Sequence, residues 1–144
     1  MNTIQLLTQT GFTFIAASLG AIIGAFLTRR IERFKHLQEL RSTAYADFLR
    51  GFARVGRAQA DGNKDARSRL EELDGRITVT DARSRIAIYG STTVIRAFAK
   101  FVEHGTQTIE PDGMRAFAEL CSLMRAEATK GGTPPEDIER VLFG

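Results

Sequence analysis

The feature that most limits what this chain can become is a run without charge. Residues 2–28 carry no Asp, Glu, Lys or Arg, and all 20 basic and 17 acidic residues lie at Arg29 or later. A helix rises about 1.5 Å per residue, so about 20 residues cross a hydrocarbon core of about 30 Å. Residues 4–28, densest in apolar side chains over 12–27, therefore predict a transmembrane helix. A cleaved signal peptide would need a basic start, and residues 1–10 have none. Ala16-Ala17-Ser18 is small enough for cleavage, but mostly apolar residues follow it. The remaining alternative is a buried helix of a soluble core. Arg29, Arg30, Arg33, Lys35 and Arg41 follow the run. By the positive-inside bias they predict a single-pass protein, N-terminus out, with the rest of the chain cytoplasmic. The same bases, Arg29, Arg30, Arg33 and Lys35, are placed to meet lipid headgroups.

Within the run, Ala16, Gly20 and Gly24 recur every fourth position, and Ala17, Ala21 and Ala25 do so beside them. Such a flat stripe lets helices approach closely in lipid, which predicts a homo-oligomer. Gln5, Gln9 and Thr13 form a polar row. Gln5 reads as the interfacial end of the helix, and Gln9 and Thr13 are candidates for lining a lumen.

No Pro or Gly occurs between Ala25 and Arg50, so one long helix is expected through about Ala60. Past the anchor it carries Phe34, Leu37, Leu40, Ala44, Phe48, Phe52 and Val55 at spacings of three and four. Asp61-Gly62-Asn63 marks a turn, with Asn63 as the cap of a second helix. There Leu70, Leu73 and Ile77 give one apolar phase, and Val79, Ile86 and Tyr89 a shifted one. The β-branched residues 77–80 could form a short strand, but no partner strand is evident. Gly90 ends that helix. Ser91 caps a third, with Val94, Ile95, Phe98, Phe101 and Val102, stopped by Gly105. A fourth starts near Pro111 with Met114, Phe117, Leu120, Cys121 and Met124, and ends at Gly131-Gly132. Thr133-Pro-Pro-Glu136 reads as a capping box for a last helix with Ile138, Val141 and Leu142. The expected fold is all-α: an anchor at 1–28, then an antiparallel helical bundle at 29–144 whose stalk, 29–60, continues the anchor.

Charge and composition narrow the chemistry. Residues 29–60 hold eight basic and three acidic side chains, while 61–144 hold twelve basic and fourteen acidic. The basic surplus lies beside the anchor, which argues against nucleic acid as a partner. Cys121, His36 and His104 are too few and too scattered for zinc, and one cysteine excludes an internal disulfide. No phosphate-cradling loop, paired carboxylates or Ser/His/Asp set is present, so no cofactor is expected. His104, beside Gly105, reads as a helix cap, and Cys121 as core. Arg30 and His36 have the Arg-x5-His spacing of helical metal-independent ribonucleases of the HEPN superfamily. In that chemistry, Arg stabilises phosphorane charge and His moves a proton. In a chain this rich in arginine the spacing is also expected by chance.

Tyr45-Ala-Asp-Phe48-Leu49, then Ile86-Ala-Ile-Tyr89-Gly90-Ser91 with Val94 and Phe98, then Met124-Arg125-Ala-Glu127 resemble small single-pass bacterial membrane proteins of unknown function. In layout the chain is also similar to the membrane accessory proteins of type VI-B CRISPR loci. The resemblance implies a bacterial inner-membrane protein that oligomerises into a pore and assists antiphage defence. Two further expectations stand beside it: a non-enzymatic, membrane-tethered module that recruits a cytoplasmic protein partner, and a HEPN-like ribonuclease.

Overall fold

A computed structural model describes residues 3–60, 65–106 and 108–144, with side chains from Thr28 onward except at 61–64 and 107. It is all-helical: α1 (Thr3–Ala60), α2 (Ala66–Tyr89), α3 (Thr92–Glu103), α4 (Pro111–Thr129) and α5 (Pro135–Phe143). The chain divides into two compact units, Met1–Leu37 and Gln38–Gly144. Residues 77–80 lie inside α2, so the strand alternative is excluded there.

Among the described residues, no helix is long and apolar enough to cross a membrane. This corrects the expected single-pass inner-membrane placement. Over 29–60, eleven charged side chains in thirty-two positions leave no long apolar window. Apart from Thr28, the expected anchor at 4–28 lies outside the residues whose side chains are described. With it lie the stripe of Ala16, Ala17, Gly20, Ala21, Gly24 and Ala25 and the row of Gln5, Gln9 and Thr13.

The second unit is built on one core. Ala44, Tyr45 and Phe48 from α1, Ala82 and Ile86 from α2, Val94, Ala97 and Phe101 from α3, and Phe117, Leu120, Cys121 and Met124 from α4 form a single buried cluster. Spacings of three and four put each set on one face of its helix. Phe101 and Leu120 are fully enclosed. Ile138 of α5 packs against the edge of the cluster, and Phe143 reaches Phe117 with ring centroids 6.2 Å apart.

The inward face of α2 is not the one its strongest apolar residues suggest. Leu70, Leu73 and Ile77 are 66%, 54% and 60% exposed, and the shifted phase with Ala82 and Ile86 is buried instead. Two glycines decide this. A Cβ on Gly51 would lie 3.0 Å from the Gly75 carbonyl oxygen and from Val79. A Cβ on Gly75 would lie 3.0 Å from Val55 and 3.2 Å from the Gly51 oxygen. α1 and α2 thus cross backbone to backbone, and the close approach fixes α2's rotation.

Local signals hold at some ends and fail at others. Ser91 caps α3, with its hydroxyl accepting from the Val94 N–H at 3.3 Å, and Pro111 opens α4, both as expected. α2, however, is capped by Asp65, whose carboxylate accepts from the Ser68 N–H at 2.7 Å, and not by Asn63, which lies outside the described residues. The capping box at 133–136 does not form. α5 starts on Pro134 without a side-chain cap, and the Thr133 hydroxyl accepts from Arg125 Nε at 2.9 Å instead. α4 ends on Lys130 in the left-handed region (φ 57°), not on the glycines that follow. Phe34, Ile95, Val102, Val141 and Leu142, expected on apolar faces, are exposed.

Candidate functional site

Six phenylalanines, Phe48, Phe52, Phe98, Phe101, Phe117 and Phe143, form a connected set in the second unit. Phe48 meets Phe98 edge to face at 4.9 Å, Phe52 stacks on Phe117 at 4.8 Å, and Phe101 lies 5.1 Å from Phe117. Offset and edge contacts of this kind add to area burial because the ring quadrupoles favour them. The set is only partly covered. Phe48, Phe52, Phe98 and Phe101 line a groove of about 580 Å³ between α1, α2 and α3. Val55, Gly56 and Val79 extend its walls.

The mouth of the groove is cationic. Arg76 and Arg83 line it, and no carboxylate among the described residues does. The Arg83 guanidinium sits 5.7 Å over the Phe98 ring, within cation–π range. Arg76 is held by Glu72 one turn away at 2.6 Å. The far wall comes from the α3–α4 connection. Gly105 (φ 71°) and Thr106 (φ 54°) both take the left-handed region, which reverses the chain after His104 and carries Thr108 and Ile109 to the groove. Ile109 is 82% exposed there.

A second polar cluster joins α1, α4 and the α2–α3 turn. Arg41 Nη1 pairs with Glu127 Oε1 at 2.6 Å, while Arg41 Nε donates to the Tyr89 carbonyl oxygen. The Tyr45 hydroxyl donates to the other Glu127 oxygen. Burial, then the Glu127 carboxylate, hold the Tyr45 hydroxyl well above the ordinary tyrosine range. A tyrosine so held stays protonated and serves as a donor, not as a base. Gln38 Nε2 adds a bond to the Ala128 carbonyl at 3.1 Å. The Tyr-Gly-Ser turn is therefore clasped by Arg41. A second network ties α1 to α2: Asp47 accepts from Arg85 at 2.8 Å and from Arg50 at 3.1 Å, and Arg85 also meets Asp81 at 2.8 Å.

The Arg30 and His36 pair is not brought together. Six residues on a helix place them about 120° apart. Arg30 lies over the Phe34 ring at 5.9 Å, while His36 shares a shallow depression with Arg29, Glu32 and Arg33. Lys35 is exposed on the same unit. His104 is the C-cap of α3. Cys121 is buried, which pushes its thiol up to about 12. Among the described residues no group of three or more His, Cys, Asp or Glu converges on a point.

Sequence spacing did not reveal Arg83, the Arg41–Tyr45–Glu127 cluster or the Gly51–Gly75 crossing. Tyr45 and Glu127 stand in two of the words that carry the resemblance, yet nothing in one sequence says that they meet. No family model matches the chain, and no curated protein or solved structure shows significant similarity to it. The class defined by the coordinates is an all-helical protein with one aromatic core and an open, cation-rimmed groove.

Proposed function

We propose that the chain is a non-enzymatic interaction module that recruits a protein partner by taking apolar side chains of that partner into the aromatic groove. The observation that supports this reading is the groove itself: Phe52 and Phe98 stay partly exposed in its wall, backed by the buried Phe48 and Phe101 and bordered by Arg76 and Arg83. Apolar area removed from water contributes about 25 cal/mol per Å², so an aromatic wall favours an apolar anchor. Arg83, which has no carboxylate partner among the described residues, favours an anchor flanked by Asp or Glu. A helix-in-groove mode fits these requirements.

The test is site-directed photocrosslinking in cells of the source organism. A benzophenone amino acid replaces Gly56, where an added Cβ meets open space. The expected product is a covalent complex with a protein segment that is apolar and acidic, and Arg83→Glu removes it. Crosslinks confined to a second copy of the chain, or none, would overturn the reading.

A further inference from the structure

The outward face of α2 has the makings of a second contact. Gly75, Ala82 and Ile86 face the core. The opposite side, read as a heptad, puts Leu70, Ile77 and Ser84 at position a and Leu73, Thr80 and Ala87 at position d. Neither row contains a charge. A charge-free seam with three large apolar residues in two turns, exposed on a helix docked by its other side, is the pattern of a coiled-coil contact.

The charges beside the seam identify the occupant and its direction. Arg69, Arg76 and Arg83 fall at g, and Arg67, Asp74 and Asp81 at e. In a parallel pair each g residue faces the e residue five positions on in the other helix. Arg69 then faces Asp74 and Arg76 faces Asp81, twice each by symmetry. In an antiparallel pair the g row faces itself, which sets arginine against arginine. Asp74 and Asp81 bond Arg54 and Arg85 through Oδ2, and Oδ1 of each has no hydrogen-bond or ion-pair partner among the described residues. The e and g charges of α2 thus complement a second α2 in parallel and disfavour the reverse arrangement.

We infer that two copies of the chain associate through α2, in parallel, along Leu70, Leu73 and Ile77. Arg76, Thr80 and Arg83 border both this seam and the groove, so the dimer and the groove's occupant share part of one surface. A seam this short, near the small end of specific interfaces, makes a reversible dimer with micromolar rather than nanomolar affinity.

Disulfide mapping tests it, because the one native cysteine is buried. Leu70→Cys, Leu73→Cys and Ile77→Cys are each oxidised mildly in the full chain, with the exposed Glu71→Cys as control. Same-residue dimers from all three seam variants and none from the control are expected. Crosslinks that form only when Leu70→Cys is mixed with Ile77→Cys would overturn the parallel arrangement. A protein that sediments as a monomer at high micromolar concentration and forms no crosslink would overturn the dimer. Leu73→Glu, exposed and so harmless to the core, is expected to lower association at least tenfold. A dimer unaffected by it lies on another surface and also overturns the proposal. Arg69→Glu/Arg76→Glu and Asp74→Lys/Asp81→Lys are each expected to self-associate poorly and to pair with one another when mixed.

Discussion

Arg41 Nη1 lies 2.6 Å from Glu127 Oε1, and the two side chains are only 26% and 17% exposed. The pair joins α1 to α4 across a sequence separation of 86 residues. Glu127 also accepts from Tyr45, and Arg41 donates to the Tyr89 carbonyl, so one ion pair holds three parts of the chain. Removing either partner of such a pair leaves the other desolvated without compensation. Arg41→Met, which keeps the apolar stem, is expected to destabilise by about 2–4 kcal/mol. Glu127→Gln is expected to cost less, because the amide oxygen still accepts one bond. The double variant should cost less than the sum, as coupled neighbours do. Urea midpoints at constant m-value measure all three. A midpoint unchanged in Arg41→Met would show that the clasp contributes nothing net.

Phe101 is fully buried at the meeting of α1, α3 and α4, while Val141 on α5 is 83% exposed. Phe101→Ala is expected to lose about 3–5 kcal/mol, the transfer term plus the cavity left behind. Val141→Ser should stay within about 0.5 kcal/mol of the native protein. Chemical denaturation of the two side by side checks the assignment of the core, and similar losses would contradict it.

Two glycines of α1 are expected to respond in opposite directions. Gly56 faces open space, and Gly56→Ala should stabilise by about 0.5–1 kcal/mol by lowering the entropy of the unfolded chain. A Cβ added to Gly51 would lie 3.0 Å from the Gly75 carbonyl oxygen and the Val79 nitrogen, and backbone cannot yield as a side chain can. Gly51→Val should destabilise by about 1–3 kcal/mol. Thermal melts report both signs, and a stabilising Gly51→Val would mean that the helices can separate at little cost.

Burial moves the Cys121 thiol from its ordinary 9.0 to about 12. The folded value is the higher one, so the protonated thiol favours folding. That contribution is fully present below pH 9 and is lost as pH rises from there towards 12. The buried Tyr45 hydroxyl acts in the same direction above 10.0. Cys121→Ala is expected to flatten the decline in stability between pH 9 and 10, measured by urea unfolding. Thiol reagents should modify native Cys121 only at the rate of opening, and rapid modification at pH 8 would contradict its burial.

Much of the second unit is set by local rules. The three- and four-residue spacing of Phe48, Val94, Phe101, Phe117, Leu120 and Met124 defines their helix faces, because α-helical periodicity needs no knowledge of neighbours. Ser91 and Pro111 locate helix starts for the same reason: a cap needs only its own backbone. Asp65 caps α2 where Asn63 was expected, and the Thr133 hydroxyl meets Arg125 in place of a capping box, because which polar group meets a helix end depends on what lies within reach in space.

Periodicity determined that α2 has apolar faces. Only the tertiary structure decided which one turns inward, because Gly51 and Gly75 permit a backbone approach that no side-chain pattern encodes. The groove, Arg83 over Phe98, and the meeting of Arg41, Tyr45 and Glu127 arise from helix packing over long sequence separations. The charge-free run at 2–28 determined an expectation of a membrane anchor, by hydropathy alone, and no described helix meets the length and apolarity that a span requires. The sequence by itself determined an all-helical chain with an aromatic core, since helix formation is local. The sites on its surface were decided by the close crossing of helices, since which side chains converge depends on how whole faces dock.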